Sequence, residues 1–229
     1  LDNAGQASIT AGDIDNGSTD NCGISNMSLD KNNFSCADVG TNTVNLTVTD
    51  VNGNSATASA TVTVEDNVDP MVSVMNIPVY LDAAGQATIS ADTVNINTTD
   101  NCGIDTMMLS KNNFTCSDKG PNLISFTAKD VNGNTSTATV NVTVYDVTPP
   151  SVNAQNITAY LNSNGFASIS ASDVDNNSTD NCSIMNMNLS NTIFTCNDIG
   201  TNTVTLSAID NSMNSATDIA QVTVVDTIA

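Results

Sequence analysis

Three carboxylates fall within eight residues at Asp13, Asp15 and Asp20, and three more at Asp173, Asp175 and Asp180. Like charges this dense repel unless a cation sits among them. Hard oxygen donors from Asp, Asn, Ser, Thr and backbone carbonyls suit calcium. In the corresponding middle stretch Thr93 and Asn95 hold the first two places, Asp92 is displaced by one, and only Asp100 keeps register. The plainer alternative is a solvated loop in which Asp and Asn make turns. A second acidic set, Asp66 with Asp69, Asp146, and Asp226, lies between successive segments and could hold an ion that stiffens each junction. The runs Asp50-Asn52-Asn54 and Asp130-Asn132-Asn134 resemble the opening of an EF-hand loop. They lack the glutamate at its twelfth place and any flanking helix, so hairpin turns are the stronger reading.

The same loops lead into cysteines. Cys22, Cys102 and Cys182 are each followed 14 residues later by Cys36, Cys116 and Cys196. There is no C-x-x-C spacing and no histidine, so zinc is disfavoured and disulfides are expected. Pairing within each set would close a short loop worth about 3 kcal/mol in the chain-entropy model and implies an oxidising, extracellular setting. Acid–base or nucleophilic catalysis finds little support. Histidine is absent, no G-x-S-x-G occurs, and Glu65 is the only glutamate, so the chain is expected not to be an enzyme.

The spacing of these groups belongs to a larger period. Ser18-Thr19-Asp20-Asn21-Cys22 returns at Thr98–Cys102 and Ser178–Cys182, 80 residues apart each time. A fixed period of this kind marks a tandem array. The expected domains are 1–69, 70–149 and 150–229. The first lacks the segment leading to Leu81 (Pro70 to Tyr80) and to Leu161, so the chain reads as part of a longer array. Apolar residues alternate with period two, as in Ile124, Phe126 and Ala128, then Ala138, Val140, Val142 and Val144. About seven short strands per repeat, with turns every 8–12 residues, is the pattern of an Ig-like β-sandwich. In the third repeat Asp218 replaces an alanine, and the last strand is expected to start after it. The junctions 64–70 and 144–150 contain proline rather than Gly/Ser, so an extended rod of three sandwiches is expected, with one intradomain disulfide each.

Four lysines face 24 acidic residues, a net charge of −20. Nothing could neutralise phosphates, which excludes nucleic acid, and an anionic membrane surface would repel the chain. No run is long enough to insert in a membrane as a helix. Aromatic residues are 3% of the chain and Trp is absent, so a glycan cleft is weakly supported.

The pattern L-D-x-x-G-x-A-x-I, D-x-D-N-x-S-T-D-N-C-G-I and F-x-C-x-D-x-G-x-N-x-V-x-L-x-V-x-D-x-N-G-N, ending V-x-V-x-D, resembles the tandem Ig-like, HYR-related repeats of large secreted and cell-surface adhesins of Bacteroidota, such as flavobacterial gliding adhesins. The resemblance runs over essentially the whole chain, three times. It implies surface display or secretion and a role in adhesion or gliding, or as the stalk or ligand-binding module of a secreted enzyme. It also implies O-glycosylation at Asp-Ser/Thr followed by an apolar residue, a pattern met at Thr93, Thr106 and Thr227. The expected partners are neighbouring repeats of the same chain, another copy pairing along the exposed strand edge of the first repeat, and an unidentified external surface or glycan.

Overall fold

Alternating runs become strands where one face has a core to cover, and the three repeats do so at the same offsets. The computed structural model describes residues 1–228. The first repeat contains β1 (Gln6–Ser8), the one-turn helix α1 (Ala11–Ile14), β2 (Ile24–Leu29), β3 (Asn33–Ser35), β4 (Gly40–Asp50) and β5 (Ser55–Val64). The second contains β6 (Ile77–Tyr80), β7 (Gln86–Thr88), α2 (Ala91–Val94), β8 (Ile104–Leu109), β9 (Asn113–Thr115), β10 (Gly120–Asp130) and β11 (Thr135–Tyr145). The third contains β12 (Ile157–Tyr160), β13 (Phe166–Ser168), α3 (Ala171–Val174), β14 (Ile184–Leu189), β15 (Ile193–Thr195), β16 (Gly200–Asp210) and β17 (Ser215–Val225).

The contacts divide the chain into two compact units. One comprises Leu1–Met75, Ser90–Ser110 and Ile124–Val140, the other Asn76–Ile89, Lys111–Leu123 and Asn141–Ala229. The third repeat lies wholly within the second unit and shows the architecture. A four-stranded sheet runs β12-β17-β16-β14, and β13 pairs with β15 as a two-stranded sheet. β16 and β17 are antiparallel over their length, from Gly200 opposite Val224 to Ile209 opposite Ser215. β12 lies parallel to β17, Ile157 opposite Val222. Leu161, Val174, Phe194, Val204, Ala220, Val222 and Val224 fill the space between the sheets. Each buried Val, Leu or Phe among them contributes on the order of 1.5–3 kcal/mol. This is a β-sandwich, and the fold is all-β.

In the first unit, β2-β4-β5 form the larger sheet of the first repeat and β1 pairs with β3, around Phe34, Val44 and Val64. Among the described residues this repeat has no counterpart of β6 or β12, so β5 is an edge. The first unit also holds the β8·β10 pairing, Phe126 opposite Leu109. The second unit holds β6 parallel to β11, Val142 opposite Ile77, and β7 against β9. Buried Val140, Val142 and Val144 on β11 follow the expected alternation.

Three expectations need correction. The polar loops are not wholly irregular. Thr10, Ser90 and Ser170 each begin a one-turn helix closed by a capping box, because a hydroxyl followed three residues later by Asp or Thr satisfies the free amides at a helix start. Asp218 does not delay β17, which starts at Ser215. Its carboxylate accepts from the Ala154 amide at 2.8 Å, so the strand position is satisfied by a hydrogen bond instead of an apolar contact. The disulfides are not within repeats. Cys36 bonds Cys102 and Cys116 bonds Cys182, each pair 66 residues apart with Cα atoms at 5.3 Å. Cys22 and Cys196 are free and exposed. Between Cys22 and Cys36 lie a six-residue strand, about 20 Å long when extended, and a change from the larger sheet to the smaller. The 14-residue interval therefore crosses the sandwich instead of closing on itself.

Candidate metal centres at two acidic clusters

Each disulfide brings the end of one repeat against the loop that opens the next. In the first unit Cys36 Sγ lies 3.4 Å from the Asn101 carbonyl, and the Asn101 amide nitrogen donates to the Asp2 carbonyl and to Asp66 Oδ1, both at 3.0 Å. Gly5 makes this approach feasible. Its φ is +70°, and an added Cβ would lie 2.6 Å from Cys36 Sγ. Beside the disulfide, Asp66, Asp100 and Asp130 present one oxygen each, all within 4.8 Å of one another. In the second unit Asp146, Asp180 and Asp210 form the equivalent group.

Each carboxylate comes from a different kind of element. Asp66 and Asp146 follow the last strand of a repeat. Asp100 Oδ1 accepts from the Cys102 and Gly103 amides at 2.8 and 3.0 Å, an Asx turn that fixes the loop before β8. Asp130 sits in the β10–β11 hairpin and accepts from the amides of Asn132, Gly133 and Asn134 and from the Asn134 side chain. Burial pushes the Asp130 carboxyl up, but the Asn134 side chain and the three turn amides outweigh it and hold the group below the ordinary value. The same Asn134 side chain donates to the Asp66 carbonyl at 3.0 Å, tying the hairpin to the junction.

The first cluster is short of hydrogen atoms. Asp66 is 6% exposed and Asp130 1%. Asp66 Oδ2, Asp100 Oδ2 and Asn101 Oδ1 are buried with no hydrogen-bond partner, as is Asn132 Oδ1 on the neighbouring hairpin. Buried acceptors are costly unless paired or coordinated. At an effective dielectric near 20, carboxylates at this separation repel by about 3 kcal/mol per pair. Oxygens bound to one calcium at 2.3–2.6 Å lie within about 5 Å of each other, so the donor set fits calcium in hardness and spacing. The second cluster differs most at two places, Ser212 for Asn132 and Lys119 for Val39. Ser212 donates to Asp146 Oδ2 at 3.0 Å, and Lys119 Nζ donates to the Ser212 hydroxyl at 2.8 Å. Its unpartnered oxygens are Asp180 Oδ2 and Asn181 Oδ1.

The structure brings Asp66 to Asp100 in one cluster and Asp146 to Asp180 in the other, and adds Asp130, from a turn the sequence reads as a hairpin, to the first and Asp210 to the second. Asp13, Asp15, Asp20, Asp69, Asp173 and Asp175 join no cluster of three acidic groups among the described residues. Asp13 and Asp173 are engaged as helix caps by Thr10 and Ser170, whose backbone amides hold both carboxyls low. Asp15 and Asp175 accept from Ser18 and Ser178 within their own loops. Asp69 is exposed. Thr93, Thr106 and Thr227 are also exposed. The clue to Asp130 and Asp210 was their unvarying 80-residue offset, shared with the loop aspartates.

No family model matches the chain, and no curated protein matches it. Among solved structures it is similar to protocadherin gamma B7 extracellular cadherin domains 1–4, at 12% identity and a TM-score of 0.37, over 87% of this chain and 66% of that one. Mouse cadherin-23 EC22-24 gives 16% identity and a TM-score of 0.37, over 85% and 78%. The chain spans 47% of protocadherin gamma B2 extracellular cadherin domains 1–5 at a TM-score of 0.36. At these scores the likeness carries no argument, and the fold rests on the sheets described above.

Proposed function

We propose that the chain is a structural segment of an extracellular fibre or surface adhesin, serving adhesion or gliding, in which each repeat is locked to the next by a disulfide and a calcium ion. The observation that carries this reading is the Asp66–Asp100–Asp130 group, with partnerless buried oxygens, directly beside Cys36–Cys102. Repeats fastened twice at each junction transmit load without relying on a flexible linker. Disulfides persist in oxidising surroundings, which supports an extracellular site. Among the described residues no helix is long and apolar enough to cross a membrane. The chain performs no catalysis in this reading. Thr93, Thr106 and Thr227 are open to glycosylation, which intact-mass measurement of native material would register as hexose increments.

Binding to the folded state alone stabilises by RT ln(1 + [L]/Kd), about 2.7 kcal/mol at a hundredfold excess over Kd. Millimolar calcium is expected to raise the thermal midpoint relative to EGTA. Asp100→Asn and Asp180→Asn should each remove part of the rise, and Asp13→Asn none. An unchanged midpoint, or a rise that persists in the Asp100→Asn/Asp180→Asn double variant, defeats the calcium reading.

One observation favours a second reading, a glycan-binding module. Tyr80 and Tyr145 are exposed and stack with ring centroids 5.7 Å apart. Loss of glycan-array binding in Tyr80→Ala would support it, and an array with no binding would dismiss it.

A further inference from the structure

Each disulfide shares its residues with the loop that carries an acidic cluster. Asp100 Oδ1 accepts from the Cys102 amide at 2.8 Å, and Asp180 Oδ1 from the Cys182 amide at the same distance. The asparagine between them faces both ways. In the first unit the Asn101 carbonyl lies 3.4 Å from Cys36 Sγ, while its side chain donates to Asp66 Oδ1 and to the Asp2 carbonyl, both at 3.0 Å. In the second unit the Asn181 carbonyl lies 3.2 Å from Cys116 Sγ, and its side chain donates to Asp146 Oδ1 at 3.2 Å and to the Asp82 carbonyl at 3.0 Å. Each unit thus has one residue set against a sulfur by its backbone and bonded to a cluster carboxylate by its side chain.

Glycine packs against the same sulfurs. An added Cβ would lie 2.6 Å from Cys36 Sγ at Gly5, and 2.7 Å from Cys116 Sγ at Gly85. Reduction needs a thiolate to reach a cystine sulfur, and the asparagine loop and the glycine crowd that approach while the loop stays in place. The cluster decides how firmly it stays. With no cation, Asp66, Asp100 and Asp130 repel across less than 4.8 Å, and Asp66 Oδ2, Asp100 Oδ2 and Asn101 Oδ1 lack any donor. In the second unit Asp180 Oδ2 and Asn181 Oδ1 lack one. A bound cation turns that repulsion into attraction and holds the loop over the sulfur. The converse also holds. Asp66 and Asp100 lie within the 66-residue interval that Cys36–Cys102 closes, and Asp146 and Asp180 within that of Cys116–Cys182. Closing the loop raises the effective concentration of one carboxylate at the other.

We propose that the disulfide and the ion site of each unit are coupled, so that calcium protects the bond from reduction and reduction loosens calcium. This coupling rests on the calcium reading above and adds redox control of the same site. By reciprocity, the factor by which the disulfide raises calcium affinity is the factor by which calcium favours disulfide over dithiol. With a dithiol as reductant, one of its thiolates attacks a cystine sulfur, giving a mixed disulfide and freeing the other cysteine. Its second thiolate then displaces the remaining cysteine. One sulfur–sulfur bond breaks in the protein and one forms in the reductant, and two electrons and two protons pass to the cysteine pair.

The test uses the full chain with Cys22 and Cys196 blocked beforehand by N-ethylmaleimide. Reduction by dithiothreitol, labelling with iodoacetamide and peptide mass spectrometry then read the two disulfides separately. Millimolar calcium should slow labelling of both pairs by about fivefold or more relative to EGTA. In Asp100→Asn, which keeps the Oδ1 acceptor of its turn, protection should vanish at Cys36–Cys102 and remain at Cys116–Cys182. In Cys36→Ser/Cys102→Ser, calorimetry should show calcium affinity at the first site lowered by about fivefold or more. Calcium binding with unchanged labelling rates would overturn the coupling and leave the calcium reading standing, as would equal protection of both pairs in Asp100→Asn. A chain that binds no calcium would overturn both.

Discussion

Asp38 and Gly5 show how single residues commit this chain to its fold. Lys31 ion-pairs with Asp38, and the same lysine lies over the Phe34 ring at 5.2 Å. That lysine, followed by the Ser35 amide, holds the Asp38 carboxyl below its ordinary value of 3.8. A carboxyl depressed on folding adds stability that is present above its unfolded pKa and lost as pH falls through the folded one. NMR titration should therefore place the Asp38 midpoint below 3.8, and the stability lost on acidification below about pH 4 should be smaller in Asp38→Asn. The third repeat has Asn191 where the others have Lys31 and Lys111, so Asp198 lacks this ion pair. Gly5 acts through space and backbone together. Gly5→Ala faces a contact of 2.6 Å with Cys36 Sγ at a φ of +70°. Left-handed backbone alone costs about 1–2 kcal/mol for an L residue, so the unfolding free energy from denaturant titration should fall by at least that much. Gly12→Ala, whose nearest contact is 3.7 Å and whose φ is not left-handed, should change little.

At the scale of elements, the junction is where strands, loops and hairpins meet. A loop closed over 66 residues is worth about 4 kcal/mol in the chain-entropy model. Cys36→Ser/Cys102→Ser should lower stability by that order, and Cys22→Ser should leave it unchanged. Peptide mapping of the oxidised chain is the direct check, with Cys36–Cys102 and Cys116–Cys182 peptides expected and Cys22–Cys36 absent. The two acidic clusters should also differ in affinity. Asn132 leaves a free acceptor near the first, while Ser212, backed by Lys119, donates into the second. Calorimetry should show two calcium affinities, with Asn132→Ser weakening the tighter and Lys119→Ala strengthening the weaker.

For the molecule as a whole, charge and compaction are linked. A net charge of −20 opposes both compaction and contact between copies. A divalent ion in each acidic triad would relieve this where it is densest, and added salt would screen the remainder. The thermal midpoint measured in EGTA should therefore rise from low salt to physiological ionic strength, which calorimetry against salt concentration would measure.

The sequence by itself determined the repeat, the strands and the chemistry on offer. Period-two alternation in Val140, Val142 and Val144 leaves one burial pattern that works, and Asp-x-Asn-Gly-Asn prescribes its turns. It also marked Asp66, Asp100, Asp146 and Asp180 as ligand candidates. It pointed to disulfides within each repeat and to carboxylates gathered in the polar loops, whereas the cysteines and carboxylates that meet belong to successive repeats. In a strict repeat the interval from Cys36 to Cys102 recurs as faithfully as that from Cys22 to Cys36, so spacing could not choose between them. Only the sandwich, which places each repeat's two cysteines on different elements and sets its closing residues against the next opening loop, decided the pairing. The same docking drew Asp130 and Asp210 into the clusters, because a hairpin distant in sequence becomes a neighbour when the chain crosses the sheet.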